Sequence, residues 1–166
     1  MNFGKLNKAD IANGTGVRVS LWVSGCRRKC PGCFNPETWS FDYGKLFTLE
    51  TLREILEALD KDYIAGLTVL GGEPLDARNI RLVTNICDIV KRDYPTKSIW
   101  VYTGHNYENI SHYSIMDYID VLVDGAFKEE LKDITLRFRG SSNQRIIDVQ
   151  ASRRSNRVIL WEDKKP

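Results

Sequence analysis

No stretch of the chain approaches the ~20 consecutive apolar residues that a membrane-spanning helix needs. The N-terminus, Met1-Asn2-Phe3-Gly4-Lys5, lacks the apolar core of a secretory leader. Charge of one sign is scarce as well. Lys and Arg number 24 against 22 Asp and Glu, a formal net charge of +2, so no strong field points to nucleic acid or to an anionic membrane as partner. Internal repeats and low-complexity tracts are absent. Histidine occurs twice and cysteine four times in 166 residues. That cysteine usage argues against a secreted disulfide framework and for a reducing compartment, the cytoplasm. The length suits one domain with a proper core and is too short for two ordinary ones.

Three of the four cysteines crowd into eight residues, Cys26-Arg27-Arg28-Lys29-Cys30-Pro31-Gly32-Cys33. The spacing C-x3-C-x2-C makes a metal loop with one ligand too few. A closed structural zinc site takes four protein ligands, whereas a [4Fe–4S] cluster on three thiolates keeps one iron open to a small molecule. Zinc stays an alternative if Cys87, His105 or His112 supplies the fourth ligand. Cys87 falls in the apolar stripe of a predicted helix, where a free cysteine behaves as a small hydrophobe. Arg27, Arg28 and Lys29 stabilise thiolate charge, stand in solvent, or meet a partner protein.

The first sixteen residues are polar and end in a turn signal, Asn13-Gly14-Thr15-Gly16. Residues 17–24 are β-branched and apolar and predict a first strand running into the cysteine loop. Residues 48–62 carry Leu49, Leu52, Ile55, Leu56 and Leu59 at helical spacing, with Thr48 as N-cap. Residues 67–70 predict a second strand, 79–94 a second amphipathic helix, 98–103 a third strand and 119–123 a fourth, after a short and poorly marked helix. Residues 127–140 are charged and carry no clear pattern. Residues 145–149 and 158–161 predict edge strands before a charged end, Asp163-Lys164-Lys165-Pro166.

Strands alternating with helices predict βα units and a parallel sheet. A full (β/α)8 barrel takes ~250 residues, so the expected fold is a single-domain α/β protein built as a partial, open TIM-type barrel. Ligands collect at the C-terminal strand ends of such sheets. Those ends carry the cysteine loop, Gly71-Gly72-Glu73-Pro74, Thr103-Gly104-His105 and Asp124-Gly125. A turn alone explains Gly-Gly and Pro, but not a glutamate placed between them after a buried strand. Glycines there let backbone approach a ligand, and Glu73 can accept from an ammonium group. Trp22 and Trp100 fall in strands and read as core. Tyr107, Tyr113 and Tyr118 read as surface or partner contacts.

C-x3-C-x2-C followed by a GGEP-type loop resembles the radical S-adenosylmethionine superfamily. In that family the open iron chelates S-adenosylmethionine, a reduced cluster gives one electron, and a 5′-deoxyadenosyl radical abstracts hydrogen. The resemblance narrows on Asp10-Ile11, Asn13-Gly14, Gly16, Arg18, Leu21 to Cys26, Cys30 to Asn35 and Thr38-Trp39. It continues through Leu70 to Leu75, Trp100 to Gly104, Val121 to Gly125 and Arg139 to Gln144. In order along residues 10–149, these blocks are similar to glycyl-radical-enzyme activases of the anaerobic ribonucleoside-triphosphate reductase type.

The resemblance implies a radical core over residues 1–150 and a charged tail over 151–166. It implies Cys26, Cys30 and Cys33 as ligands of a [4Fe–4S] cluster. It implies S-adenosylmethionine contacts from Gly32, Cys33, Phe34, Gly71, Gly72 and Glu73, with Phe34 toward the adenine because Gly32 replaces the aromatic residue common in the superfamily. Thr103 and Asp124 match a region for substrate or a cation. The implied partners are the reductase large subunit and a small reducing protein such as a flavodoxin. Activation of a formate-lyase-type enzyme, small-molecule radical chemistry and a non-catalytic metal module are the alternatives; the Glu73 loop speaks against the module.

Protein reconstituted without air is expected to bind about four irons and as many sulfides. Stoichiometric zinc without sulfide, measured by metal analysis, would be the contrary result. Alanine at Cys26, Cys30 or Cys33 is expected to abolish the cluster, whereas Cys87→Ala is expected to cost on the order of 1 kcal/mol of packing.

Overall fold

The computed structural model describes residues 1–163; of the expected charged end, 164–166 lie outside the described residues. The strands are β1 (Asn2–Asp10), β2 (Val17–Val23), β3 (Lys45–Leu46), β4 (Ile64–Gly71), β5 (Ser98–Tyr102), β6 (Val121–Asp124) and β7 (Arg145–Asp148). The α-helices are α1 (Leu49–Leu59), α2 (Ile80–Asp93), α3 (Tyr107–Ile110) and α4 (Val149–Ser155), and short 3-10 turns cover Pro36–Trp39, Ser114–Asp117 and Glu129–Leu131. All seven strands form one open mixed sheet in the order β3-β1-β2-β4-β5-β6-β7. The middle four run parallel, and β1, β3 and β7 pair antiparallel at the flanks.

The two long helices follow their sequence signals. Thr48 caps α1 in a capping box: its hydroxyl accepts from the Thr51 N–H and its own N–H donates to the Thr51 hydroxyl. Val83, Ile86, Cys87 and Val90 turn the stripe of α2 inward. The N-terminal sixteen residues differ from expectation, because residues 2–10 form a strand. Phe3 and Leu6 reach the core, while the polar residues between them cost little beside an open edge. Two register shifts in β1 further blur its alternation. Residues 158–161 lie antiparallel along β7 through Asp148 N–H to Ile159 O (3.0 Å) and Trp161 N–H to Ile146 O (2.9 Å). Helix α4 straddles residue 150, where the core was expected to give way to a tail.

Strand alternation gives the sheet two unlike faces. Val19, Leu21, Val23, Leu67, Val69, Ile99, Val101 and Leu122 form the main core with α1 and α2. The other face carries Arg18, Ser20, Trp22, Thr68, Trp100 and Tyr102, with a smaller cluster of Trp100, Val121, Val123, Phe138 and Trp161. Arg18 is fully buried there and meets only neutral acceptors: Thr68 Oγ1 (2.7 Å), Ser98 Oγ (3.0 Å) and the carbonyls of Thr15, Leu67 and Ser98. Burial pulls its guanidinium down to about 10. The Thr68 hydroxyl donates onward to Asn13 O (2.8 Å), so Arg18 and Thr68 bind the 13–15 turn over this face. Tyr107, expected as a surface or partner contact, is buried in the main core.

Arg18→Met would leave several buried carbonyls unpaired. It is expected to lower stability by roughly 2–4 kcal/mol, read as a fall in the urea midpoint with an unchanged slope.

Candidate functional site

Loops at the C-terminal ends of the four parallel strands open onto one cavity of about 560 Å³. Cys26, Cys30, Cys33 and Phe34 line it from the loop after β2. Gly71, Gly72 and Glu73 line it from the end of β4, Thr103 and Gly104 from beyond β5, and Gly125 and Phe127 from beyond β6. Phe138, Arg139, Gly140 and Gln144 close the far wall. Gly32 and Asp124 do not line it. Gly32 adopts φ +70°, and a Cβ there would stand 2.8 Å from the Glu129 carboxylate. Asp124 is buried and accepts from Arg145 Nε (3.0 Å), Arg145 Nη2 (2.5 Å) and the Tyr107 N–H (2.8 Å). Arg145 also grips both oxygens of Glu108 (2.9 and 2.8 Å) and holds that carboxyl down to about 2. The Asp124 carboxylate is therefore engaged in joining β6, β7 and α3.

The cysteine loop is anchored by backbone. Gly25 N–H donates to Thr38 O (2.7 Å), Cys26 N–H to Trp39 O (3.0 Å) and Cys33 N–H to Cys30 O (3.2 Å). Arg27 is a pin: its Nε lies 3.0 Å from Asp76 Oδ2, and its guanidinium stacks over Phe41. Arg28 crosses Gly104 so closely that a Cβ on the glycine would sit 2.2 Å from Arg28 Nε. Burial pushes the Cys26 and Cys30 thiols up. The Arg28 and Lys29 N–H groups counter this at Cys26, and the Arg28 charge counters it at Cys30. The loop's N–H groups and the Arg28 charge thus moderate desolvation and do not reverse it.

The glycine loop closes on the cysteine loop. Gly72 N–H donates to Val23 O and Glu73 N–H to Gly25 O, both at 2.8 Å. A Cβ on Gly72 would lie 2.6 Å from Gly25 O and 3.0 Å from its N and C atoms. Close backbone approach is real here, and what approaches is the protein's own chain. Glu73 is buried, and its carboxylate is held on three sides. Oε1 accepts from Leu75 N–H (3.0 Å) and the Thr103 hydroxyl (2.8 Å), and Oε2 from Gly104 N–H (2.8 Å). With about four lone-pair sites on a carboxylate, Oε2 keeps capacity for one more donor. Thr103 therefore orients Glu73.

Neither Cys87, His105 nor His112 lines the cavity. Cys87 is buried in α2 with its thiol pushed up to about 12, and His112 packs edge-on against Tyr113. Among the described residues no three His, Cys, Asp or Glu side chains converge where a single ion would sit.

A model of the 4Fe-4S single cluster domain matches residues 12–147. The chain is 42% identical over 146 residues to the anaerobic ribonucleoside-triphosphate reductase-activating protein of Enterobacteria phage T4, spanning 88% of this chain and 93% of the relative. It is 39% and 40% identical over 148 residues to the proteins of that name from Escherichia coli K12 and Haemophilus influenzae, with 87% of this chain and 96% of each relative covered. The chain belongs to this family of activating proteins. Membership supplies an iron–sulfur cluster domain, with three cysteines on the cavity wall to match it.

Sequence reasoning missed much of the far wall, Phe127, Phe138, Arg139, Gly140 and Gln144 among it, and two aromatic residues elsewhere in the cavity. Trp39 and Tyr102 line the cavity, and Trp39 Nε1 and the Tyr102 hydroxyl are buried without a hydrogen-bond partner among the described residues. Trp22, expected in the core, also lines the cavity, while Trp100 is buried as expected. Both Trp39 and Tyr102 occur in the blocks that carry the family resemblance, which is the signal that could have found them.

Thr103→Val keeps shape and removes one donor from Glu73; it is expected to cost about 1 kcal/mol in thermal unfolding with the fold intact. Gly72→Val is expected to be more damaging. Its side chain would displace Gly25 and the adjoining Cys26, so iron retained after anaerobic reconstitution should fall well below the parent's.

Proposed function

We propose that this protein installs a glycyl radical on the large subunit of an anaerobic ribonucleoside-triphosphate reductase. The observation that carries the reading is the convergence of three cysteines and the Glu73 loop on one cavity. The residues present fit a [4Fe–4S] cluster together with S-adenosylmethionine. Three thiols form an incomplete ligand set, two unpaired donors stand in the walls, and the volume suits a molecule of nucleoside size. When bound, these groups supply one-electron chemistry that ends in hydrogen abstraction.

The chain's own residues do the rest. Cys26, Cys30 and Cys33 hold the cluster. Glu73, oriented by Thr103 and Gly104, receives the amino group of S-adenosylmethionine at the free site on Oε2. The backbone about Gly71 and Gly72 sets the depth of the cofactor, and Phe34 borders it. Trp39 Nε1 and the Tyr102 hydroxyl offer donors to polar atoms of the same cofactor. We read the open sheet as a partial barrel whose uncovered side admits a peptide loop from a large partner. Phe34 (55% exposed) and Ile134 (86% exposed) leave apolar surface at the cavity's edge, as a macromolecular substrate requires. The names of the relatives support the reductase as target. A small reducing protein such as a flavodoxin supplies the electron in this reading, in the cytoplasm.

Mixing the reduced protein, S-adenosylmethionine and an anaerobic reductase without oxygen is expected to give a doublet radical signal on the reductase. A reductase with its target glycine changed to alanine is expected to give none, because only the glycyl radical is delocalised over both flanking amides without a side chain. Activation of a formate-lyase-type enzyme in place of the reductase would keep the chemistry and overturn the choice of partner.

A further inference from the structure

Three cations follow one another inside the cysteine loop, and the fold treats them differently. Arg27 turns to Asp76 and Phe41 and serves as a pin. Lys29 is exposed and does not line the cavity. Arg28 lines it, one of two cationic side chains among the described residues that do. The other, Arg139, donates from Nη1 to Gln144 O of its own loop (2.6 Å). Among the described residues no carboxylate pairs with Arg28, whose Nη2 lies 3.5 Å from His105 Nδ1.

The path of Arg28 is set by Gly104. A Cβ on that glycine would stand 2.2 Å from Arg28 Nε, 2.7 Å from its Cδ and 3.1 Å from its Cζ. Gly104 has no positive φ, so its backbone makes no demand for glycine. The missing side chain is what lets Arg28 lie across it. The same residue donates its N–H to Glu73 Oε2 (2.8 Å), the oxygen with a free acceptor site. A carboxylate with room for one donor and a cation with no acidic partner therefore meet on a single glycine. An α-amino acid carries the complementary pair, an ammonium and a carboxylate on one carbon.

We propose that Arg28 binds the carboxylate of S-adenosylmethionine, so that the amino-acid end of the cofactor is held as a zwitterion between Glu73 and Arg28. The proposal rests on the reading that Glu73 receives the cofactor's amino group. A guanidinium–carboxylate bond is charge-assisted and among the stronger hydrogen bonds, and the planar fork of arginine matches a carboxylate as a lysine ammonium does not. Arg28 is then a specificity residue. A nucleoside whose side chain ends without a carboxylate forfeits this bond and leaves the cation unpaired.

The test uses the full chain reconstituted without air, with the cluster left oxidised so that no cofactor is consumed. Equilibrium dialysis gives the affinities for S-adenosylmethionine and for decarboxylated S-adenosylmethionine, which keeps the amino group; their ratio is the readout. The parent is expected to prefer the intact cofactor. Arg28→Gln is expected to weaken S-adenosylmethionine binding roughly tenfold or more and to change binding of the decarboxylated form little, so the preference shrinks by that factor. Gly104→Ala, whose Cβ pushes Arg28 aside but keeps its charge in the loop, is expected to shift the ratio in the same direction. Arg28→Lys is expected to retain part of the preference.

Equal weakening of both ligands in Arg28→Gln would show an effect through the cluster loop and overturn the proposal. An unchanged preference, or one that collapses in Arg139→Gln instead, also overturns it. Iron and sulfide are measured in each variant, and Gly104→Ala answers if Arg28→Gln takes up no cluster. Failure of both to load makes Arg28 a residue of cluster assembly and overturns the proposal too. Glu73→Gln is expected to weaken both ligands alike. A Glu73→Gln protein with both affinities unchanged, or a parent that binds no S-adenosylmethionine, sinks the functional reading itself, which separates the two failures.

Discussion

Two backbone hydrogen bonds, from the Gly72 and Glu73 amides to the carbonyls of Val23 and Gly25, hold the site together. They bring the loop after β4 against the loop after β2 at backbone contact distance, which is why a side chain cannot be added at Gly72. Glu73 follows immediately, and its carboxylate collects the start of the next loop through Thr103 and Gly104. Three adjacent strand ends thereby share one set of bonds. The cysteines inherit their position from this join, since Cys26 is the next residue after Gly25.

The sheet's two faces divide the labour. Helices α1 and α2 bury one face in a conventional apolar core. The other face is polar where Arg18, Ser20 and Thr68 lie, and turns cover it. A buried guanidinium with no carboxylate hydrogen-bonded to it is costly unless its donors are satisfied. Arg18 satisfies them with carbonyls and hydroxyls, and so fastens residues 13–15 near the cavity.

Much of this was legible in the sequence because it is local. The apolar stripes of α1 and α2, the Thr48 cap and the β-branched run of β2 each declare themselves within a few residues. The cysteine spacing and the Gly-Gly-Glu loop singled out residues that meet at one cavity. What stayed hidden depends on partners distant in sequence. The β1 residues read as polar because a strand covered on its outer side only by the two-residue β3 is specified by backbone pairing. Residues 127–140 show no period because their order comes from Gln144, Asn143 and Ser141 bonding to backbone. Thr103 reads as a substrate contact until the Glu73 carboxylate, thirty residues away, is seen at its hydroxyl. Asp124 reads likewise until Arg145 is placed beside it.

The join between Gly25 and Glu73 also bears on the order in which the protein is made. The backbone hydrogen-bond partners of the cysteine loop lie early in the chain: Asn2, which accepts from Ser24 N–H, then Thr38 and Trp39, then Gly72 and Glu73. Synthesis runs from the N-terminus, so the residues that bond to the backbone of the cysteine loop are made before those of β5, β6 and β7. The wall carrying Phe127 and Gly140 is translated last. A chain released too early would carry the cysteine loop without its far wall, with thiols more open to oxidation than in the finished protein.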